Sequence, residues 1–158
     1  MEANRELLRH ILATIAYRGG KAVRGAPDTF AGFQAGGATR TPGRILAHMG
    51  DLFDWALTLA RGEKAWRDAT PLPWNQEAER FFQALTAFDA YLASGQPLAC
   101  SMETLLQGPI ADALTHIGQI NILRRVAGCP VRCENYSDAE IHAGRVGAHQ
   151  PPPLREFD

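Results

Sequence analysis

The sequence predicts an all-α protein built as a four-helix bundle. Apolar residues recur at three- and four-residue spacing in four separate segments, and helix-starting and helix-stopping residues bracket most of them. Valine and isoleucine are sparse and nowhere alternate with polar residues over a useful length, so no strand competes. Amphipathic helices of this kind reach stability by burying their faces on one another.

The first helix is expected from about Arg5 to Tyr17. Leu7, Leu8, Ile11, Leu12 and Ile15 share one face, Asn4 is a suitable N-cap, and Gly19-Gly20 read as a stop. The second has the clearest punctuation. Thr41 can cap, Pro42 suits the first helical position, and Ile45, Leu46, Met49, Leu52, Phe53, Ala56 and Leu57 follow in period up to Arg61-Gly62. A third opens at Asn75, with Glu77 and Glu79 in its first turn, and carries Phe81, Phe82, Leu85, Phe88 and Leu92 before Gly95. The fourth begins at Pro109 and runs to Arg124-Arg125, whose charges suit a helix C-terminus, with Gly128 ending it. A short helical turn near Leu98–Leu106 precedes it.

Two connections are unusual. Residues 18–40 hold six glycines and Pro27, a Gly-rich stretch that reads either as a long crossover between parallel helices or as a functional or disordered loop. From Cys129 onward, Pro130, Gly144, Gly147 and Pro151-Pro152-Pro153 describe an extended tail. The tail is expected to strap across the bundle, with one helical turn near Ser137–His142. Residues 1–158 are read as one domain, the tail being about 129–158.

Composition narrows the function. The chain has 158 residues, 46% of them hydrophobic, which provides a core without disulfide staples. A formal net charge of −1 lacks the basic stripe of a nucleic-acid binder. No run approaches the roughly 18 apolar residues of a membrane span. The start, Met1-Glu2-Ala3-Asn4-Arg5-Glu6, lacks the apolar stretch of a secretory signal. Three cysteines cannot all pair within one chain, so a cytoplasmic location is expected.

The chemistry concentrates on the fourth helix. Asp112 and His116 are four apart, over the same patch of helix surface, and two ligands at that spacing can reach one metal ion. The same pair also has a structural reading. An acid near a helix N-terminus is favourable by itself, and Asp and His at this spacing can simply hydrogen-bond. His48 points to the core side of the second helix, where an imidazole needs a partner. His48, Asp112 and His116 together would make a two-histidine, one-carboxylate set with open positions. His10, His142 and His149 are weaker candidates. Cys129 and Cys133 lack the spacing of a zinc ribbon or of a thioredoxin-like pair. Trp55, Trp66 and Trp74 read as core or loop anchors, Trp55 being placed to border the pocket.

Two segments carry a family resemblance. Arg40-Thr-Pro-Gly-Arg-Ile-Leu-Ala-His48-Met-Gly-Asp-Leu-Phe-Asp-Trp55 and Asp112-Ala-Leu-Thr-His116-Ile-Gly-Gln119 resemble the DinB-like family, four-helix-bundle metalloenzymes that include the YfiT-type proteins. Leu123-Arg-Arg-Val-Ala-Gly128 and Asn135-Tyr136 add to the likeness. The resemblance implies a divalent metal held by three histidines, one on the second helix and an H-x-x-x-H pair on the last. His48 and His116 match two of them. Asp112 stands where the second is expected, a departure that changes the charge of the set.

The resemblance further implies a thiol-dependent transferase or isomerase acting on a small molecule, with a low-molecular-weight thiol as co-substrate. Zinc or nickel comes first among the ions, then iron or manganese. Hydrolysis by metal-bound water is open to the same ligands. Thr115 and Gln119 are placed to orient ligands from behind, and Tyr136 to cap the pocket. Two further readings remain: a non-catalytic metal- or ligand-binding bundle, homodimeric in one version, and a metal-free network in which the three side chains hydrogen-bond in the core.

Overall fold

A computed structural model describes residues 2–158, and these are mostly helical. In chain order they form α1 (Glu2–Val23), α2 (Pro42–Arg61), α3 (Trp74–Ala93), the single turn α4 (Met102–Leu105) and α5 (Ala111–Val126). Strands β1 (Cys133–Glu134) and β2 (Glu156–Phe157) pair antiparallel. Among the described residues no helix is long and apolar enough to cross a membrane.

Helix α2 follows its local signals. Thr41 Oγ1 accepts from the Arg44 amide at 3.4 Å, Pro42 opens the helix, and Gly62 ends it at φ 85°. Helix α3 starts one residue before the expected Asn75, at Trp74, whose indole Nε1 donates to the Val23 carbonyl at 3.2 Å. Helix α1 departs from expectation at both ends: Asn4 lies inside it, and it runs straight through Gly19-Gly20. A Cβ on Gly19 would stand 3.1 Å from the Phe81 ring and 3.5 Å from Ile117. Close approach to α3 and α5 explains that glycine, whose propensity cost of about 1 kcal/mol does not end a helix already packed on both.

Helix α4 runs into α5 through a wide turn at Leu106–Ile110, kinked at Gly108. Pro109 has no N–H to give the ladder, so the helix proper begins two residues later than its sequence signal.

Helices α1 and α2 each pack on both α3 and α5. The first two helices are therefore diagonal neighbours, which accounts for the long connection between them. That connection is not featureless: Asp28–Gly32 forms a 3-10 turn, and Phe30 is buried edge-on against Trp74 with ring centroids 5.3 Å apart. Leu12, Ile15, Met49, Phe53, Phe81, Leu85 and Phe88 fill the space between the helices.

The tail lies against α1. Buried Glu134 accepts from Tyr17 Oη at 2.6 Å and from Lys21 Nζ at 2.7 Å, and Lys21 also reaches Glu156 at 2.8 Å. Burial works against the Lys21 charge, but the hydrogen bonds to Glu134 and Glu156 outweigh it and lift the ammonium above its ordinary value. The small sheet and the 3-10 turn at Tyr136–Asp138 replace the single helical turn expected near Ser137–His142. Arg124, read from sequence as a helix-end charge, is buried and donates to the carbonyls of Ala22, Arg24, Gly25 and Cys129. It thereby satisfies the orphaned end of α1. All three cysteines are free thiols.

Candidate metal centre

The faces of α2 and α5 that pack together bring His48, Asp112 and His116 to one point. Helical period aims His48 at the partner helix from between buried Ile45 and Leu52, and the four-residue spacing stacks Asp112 and His116 over one patch of α5. One donor atom from each lies within 4.8 Å of the others. His48 Nε2 is 3.2 Å from Asp112 Oδ2, and His116 Nε2 is 3.3 Å from Asp112 Oδ1. The two imidazoles meet edge to face, with centroids 4.9 Å apart and planes at 87°. His116 is buried, His48 half-buried, and Asp112 the most open, with 45% of its side chain exposed.

Protons decide what such a cluster holds. His116 Nδ1 lies 2.8 Å from Gln119 Oε1, an acceptor, so Nδ1 carries the hydrogen and donates it. The neutral ring then presents the lone pair of Nε2 to a carboxylate oxygen. In that tautomer the ring nitrogen and the carboxylate oxygen, 3.3 Å apart, are both acceptors, an arrangement that a cation between them would satisfy. Donors bound to one tetrahedral ion at 2.0–2.1 Å sit roughly 3.3 Å apart. Each imidazole nitrogen stands at about that spacing from one carboxylate oxygen, His48 from Oδ2 and His116 from Oδ1, and the three single donors lie within 4.8 Å of one another. Two nitrogens with one carboxylate form a donor set suited to zinc, nickel or iron. The three side chains can hold a metal ion.

Gln119 lies against His116, its Oε1 2.8 Å from the ring Nδ1. Thr115 makes no such contact: its hydroxyl donates to the Ala111 carbonyl at 3.1 Å, within its own helix, although the residue borders the same cavity as Asp112. Trp55 lines that cavity too. Tyr136 lies elsewhere. It packs edge-on against Tyr17, under the Arg18 guanidinium, and lines a separate cavity, because the tail runs along α1. His10, His142 and His149 are exposed.

Trp66 is the neighbour that sequence reasoning missed. It lies in the α2–α3 loop with its ring 5.5 Å from His48 and 5.6 Å from Trp55, edge-on to both. A buried ion-pair network holds that loop. Arg80 pairs with Asp51 at 3.0 Å and with fully buried Glu77, while the free carboxylate oxygens take the amides of Ala69 at 3.1 Å and Leu72 at 2.8 Å. Gly50 makes room for it, since a Cβ there would stand 2.7 Å from the guanidinium carbon. No local pattern around Trp66 signals this; the carboxylates that fix its loop lie on two other elements.

Three clefts of about 400 Å³ open around the triad. One is polar, with Arg40, Arg44, His48 and Asp68; one is mainly apolar, with Ile45, His116, Ile122 and Leu123, and again Arg40; the third holds Trp55, Asp112 and Thr115. A cavity of about 780 Å³ runs along α3 beside Trp74 and Phe82 and contains none of the three donors. Comparison with protein-family models, with curated proteins and with solved structures gives no match, so the reading of the site rests on its own geometry.

Proposed function

We propose that this chain is a divalent-metal-dependent enzyme of the DinB-like kind. In this reading it is a four-helix bundle acting on a small molecule, with a low-molecular-weight thiol as the group to be activated. The observation that carries the proposal is the meeting of His48, Asp112 and His116 across α2 and α5. The two segments that resemble the family are the ones that supply these residues. A divalent ion held by these three residues would make a coordinated thiol or water nucleophilic at neutral pH.

The chain's own groups do the rest. Gln119 fixes the His116 tautomer and ring orientation. The Asp112 carboxylate would offset part of the charge of a cation held there. Trp66, backed by Trp55, lies edge-on beside His48 and borders whatever binds there. Arg40 borders two of the three clefts, so an anionic part of a substrate would find its counter-charge there.

A non-catalytic metal-binding role is the second reading. One observation favours it: among the described residues, the only side chain hydrogen-bonded to the triad from outside is Gln119, which does not titrate. Incubating zinc- or nickel-loaded protein with a panel of thiols and electrophiles separates the two. Turnover that disappears in His116→Ala supports the enzyme; bound metal without turnover under any pairing supports the second reading.

A further inference from the structure

Trp66 sits between two of the clefts beside the triad. His48 and Trp55 are two helical turns apart on α2, roughly 10 Å along its axis. The Trp66 ring reaches both, with centroids 5.5 Å from His48 and 5.6 Å from Trp55. His48 lines the cleft of about 420 Å³ that also holds Arg44 and residues 68–71. Trp55 lines the cleft of about 410 Å³ that holds Asp112 and Thr115. The indole lines neither cleft, and it stands between a wall residue of one and a wall residue of the other.

The segment that carries this ring is pinned at its ends and lightly held in its middle. Gly62 closes α2, and the Glu63 amide donates to the Thr58 carbonyl at 2.9 Å. Downstream, the Ala69 and Leu72 amides donate to the buried carboxylates of Asp51 and Glu77. From Lys64 to Asp68 every residue is exposed and, among the described residues, none is in an ion pair. One hydrogen bond holds this stretch: Thr58 Oγ1 donates to the Ala65 carbonyl at 3.1 Å, sharing its proton with the Trp55 carbonyl at 2.9 Å. Stretches with few buried contacts and exposed backbone open locally at low cost. Lys64 favours such opening, since at φ 51° it is the only described non-glycine residue in the left-handed region, a strain that movement would relieve.

We propose that residues 64–68 form a gate, swinging Trp66 off His48 and Trp55 while Ala69 stays pinned to Asp51. Opening joins the two clefts into one channel past His48 and Asp112. The closed ring confines a ligand to one cleft, and the open one admits a ligand long enough to reach from Arg44 to Thr115. That selection by size rests on the proposal that the triad binds a ligand. The motion itself does not, so it is tested on metal-free protein.

Carbethoxylation of His48 by diethyl pyrocarbonate measures the motion. Chelator-treated protein is labelled at a single pH, and the rate at each histidine is read by mass spectrometry against exposed His149. Trp66→Ala removes the shield, so His48 should react faster than in the wild type. Thr58→Val keeps the ring and removes the hydroxyl that holds Ala65. There His48 should react roughly threefold faster, the lower end of what one neutral hydrogen bond is worth. His116, which borders the separate cleft of Ile122 and Leu123, should label equally in all three proteins. A His48 rate unchanged by Trp66→Ala would mean that the ring shields nothing. A rate raised by Trp66→Ala but not by Thr58→Val would mean that the ring is fixed, and a parallel rise at His116 would mean general loosening. Each of these overturns the gate, whether or not the triad binds metal, and Thr58→Val decides the matter alone should Trp66→Ala fail to fold.

Discussion

Gln119 takes the Nδ1 hydrogen of His116 at 2.8 Å and so aims the opposite nitrogen of that ring at Asp112, 3.3 Å away. The relationship matters because a histidine binds a metal through an unprotonated nitrogen, and the hydrogen bond behind it determines which nitrogen that is. Replacing Gln119 with Leu keeps the bulk and removes the acceptor. Metal affinity, measured by competition with a chromogenic chelator, should fall roughly tenfold to a hundredfold while the helical circular dichroism stays unchanged.

Arg80 holds together the loop that carries Trp66. Arg80→Ala leaves Glu77 and Asp51 buried without their cation, so urea unfolding should show a loss of roughly 3–5 kcal/mol. A smaller change, Asp51→Asn, keeps the shape and weakens the grip on the Ala69 amide. In that variant Trp66 should become more accessible to acrylamide quenching.

Two glycines on packed helices should respond in opposite directions. Gly19→Ala pushes a methyl group to 3.1 Å from the Phe81 ring, an overpacking worth roughly 1–3 kcal/mol of lost stability. Gly118 faces solvent on α5 with nothing within 4 Å of its would-be Cβ. Gly118→Ala should stabilise by roughly 0.5–1 kcal/mol, and paired thermal melts would show the contrast.

The tail contacts carry a pH signature. Lys21 is raised above its ordinary value because its hydrogen bonds to Glu134 and Glu156 outweigh burial. A raised ammonium contributes stability that is fully present below the unfolded-state value, about 10.4, and is lost as pH climbs through the higher folded one. The hydrogen bond from Lys21 lowers Glu156, which is the opposite case. Its contribution is present above about 4.3 and fades as acid carries the pH down through the lower folded value. The stability gap between wild type and Lys21→Met should therefore be widest across neutral pH and narrow at both extremes. A gap that is flat from acid to alkali would contradict this.

What the sequence disclosed was what short-range physics controls. The α2 boundaries were legible because Thr41, Pro42 and Gly62 act on their own neighbours. Asp112 and His116 were legible as a pair because four residues are one helical turn, and the side on which His48 faces could be read from its apolar flanks. The rest depends on contacts between distant segments. Gly19-Gly20 looks like a helix stop until Phe81 is placed beside it. Tyr136 looked like a pocket cap until the tail was found running along Tyr17 and Arg18. Trp66 gained a role only through carboxylates on α2 and α3 that fix its loop.

Elemental analysis of untagged protein, purified without chelator, tests the central claim most directly when run beside the Asp112→Ala, His116→Ala double variant. The account predicts close to one divalent ion per wild-type chain and only background metal in a double variant that remains folded. Equal trace levels in both proteins, with no uptake by the wild type when zinc or nickel is supplied, would contradict it.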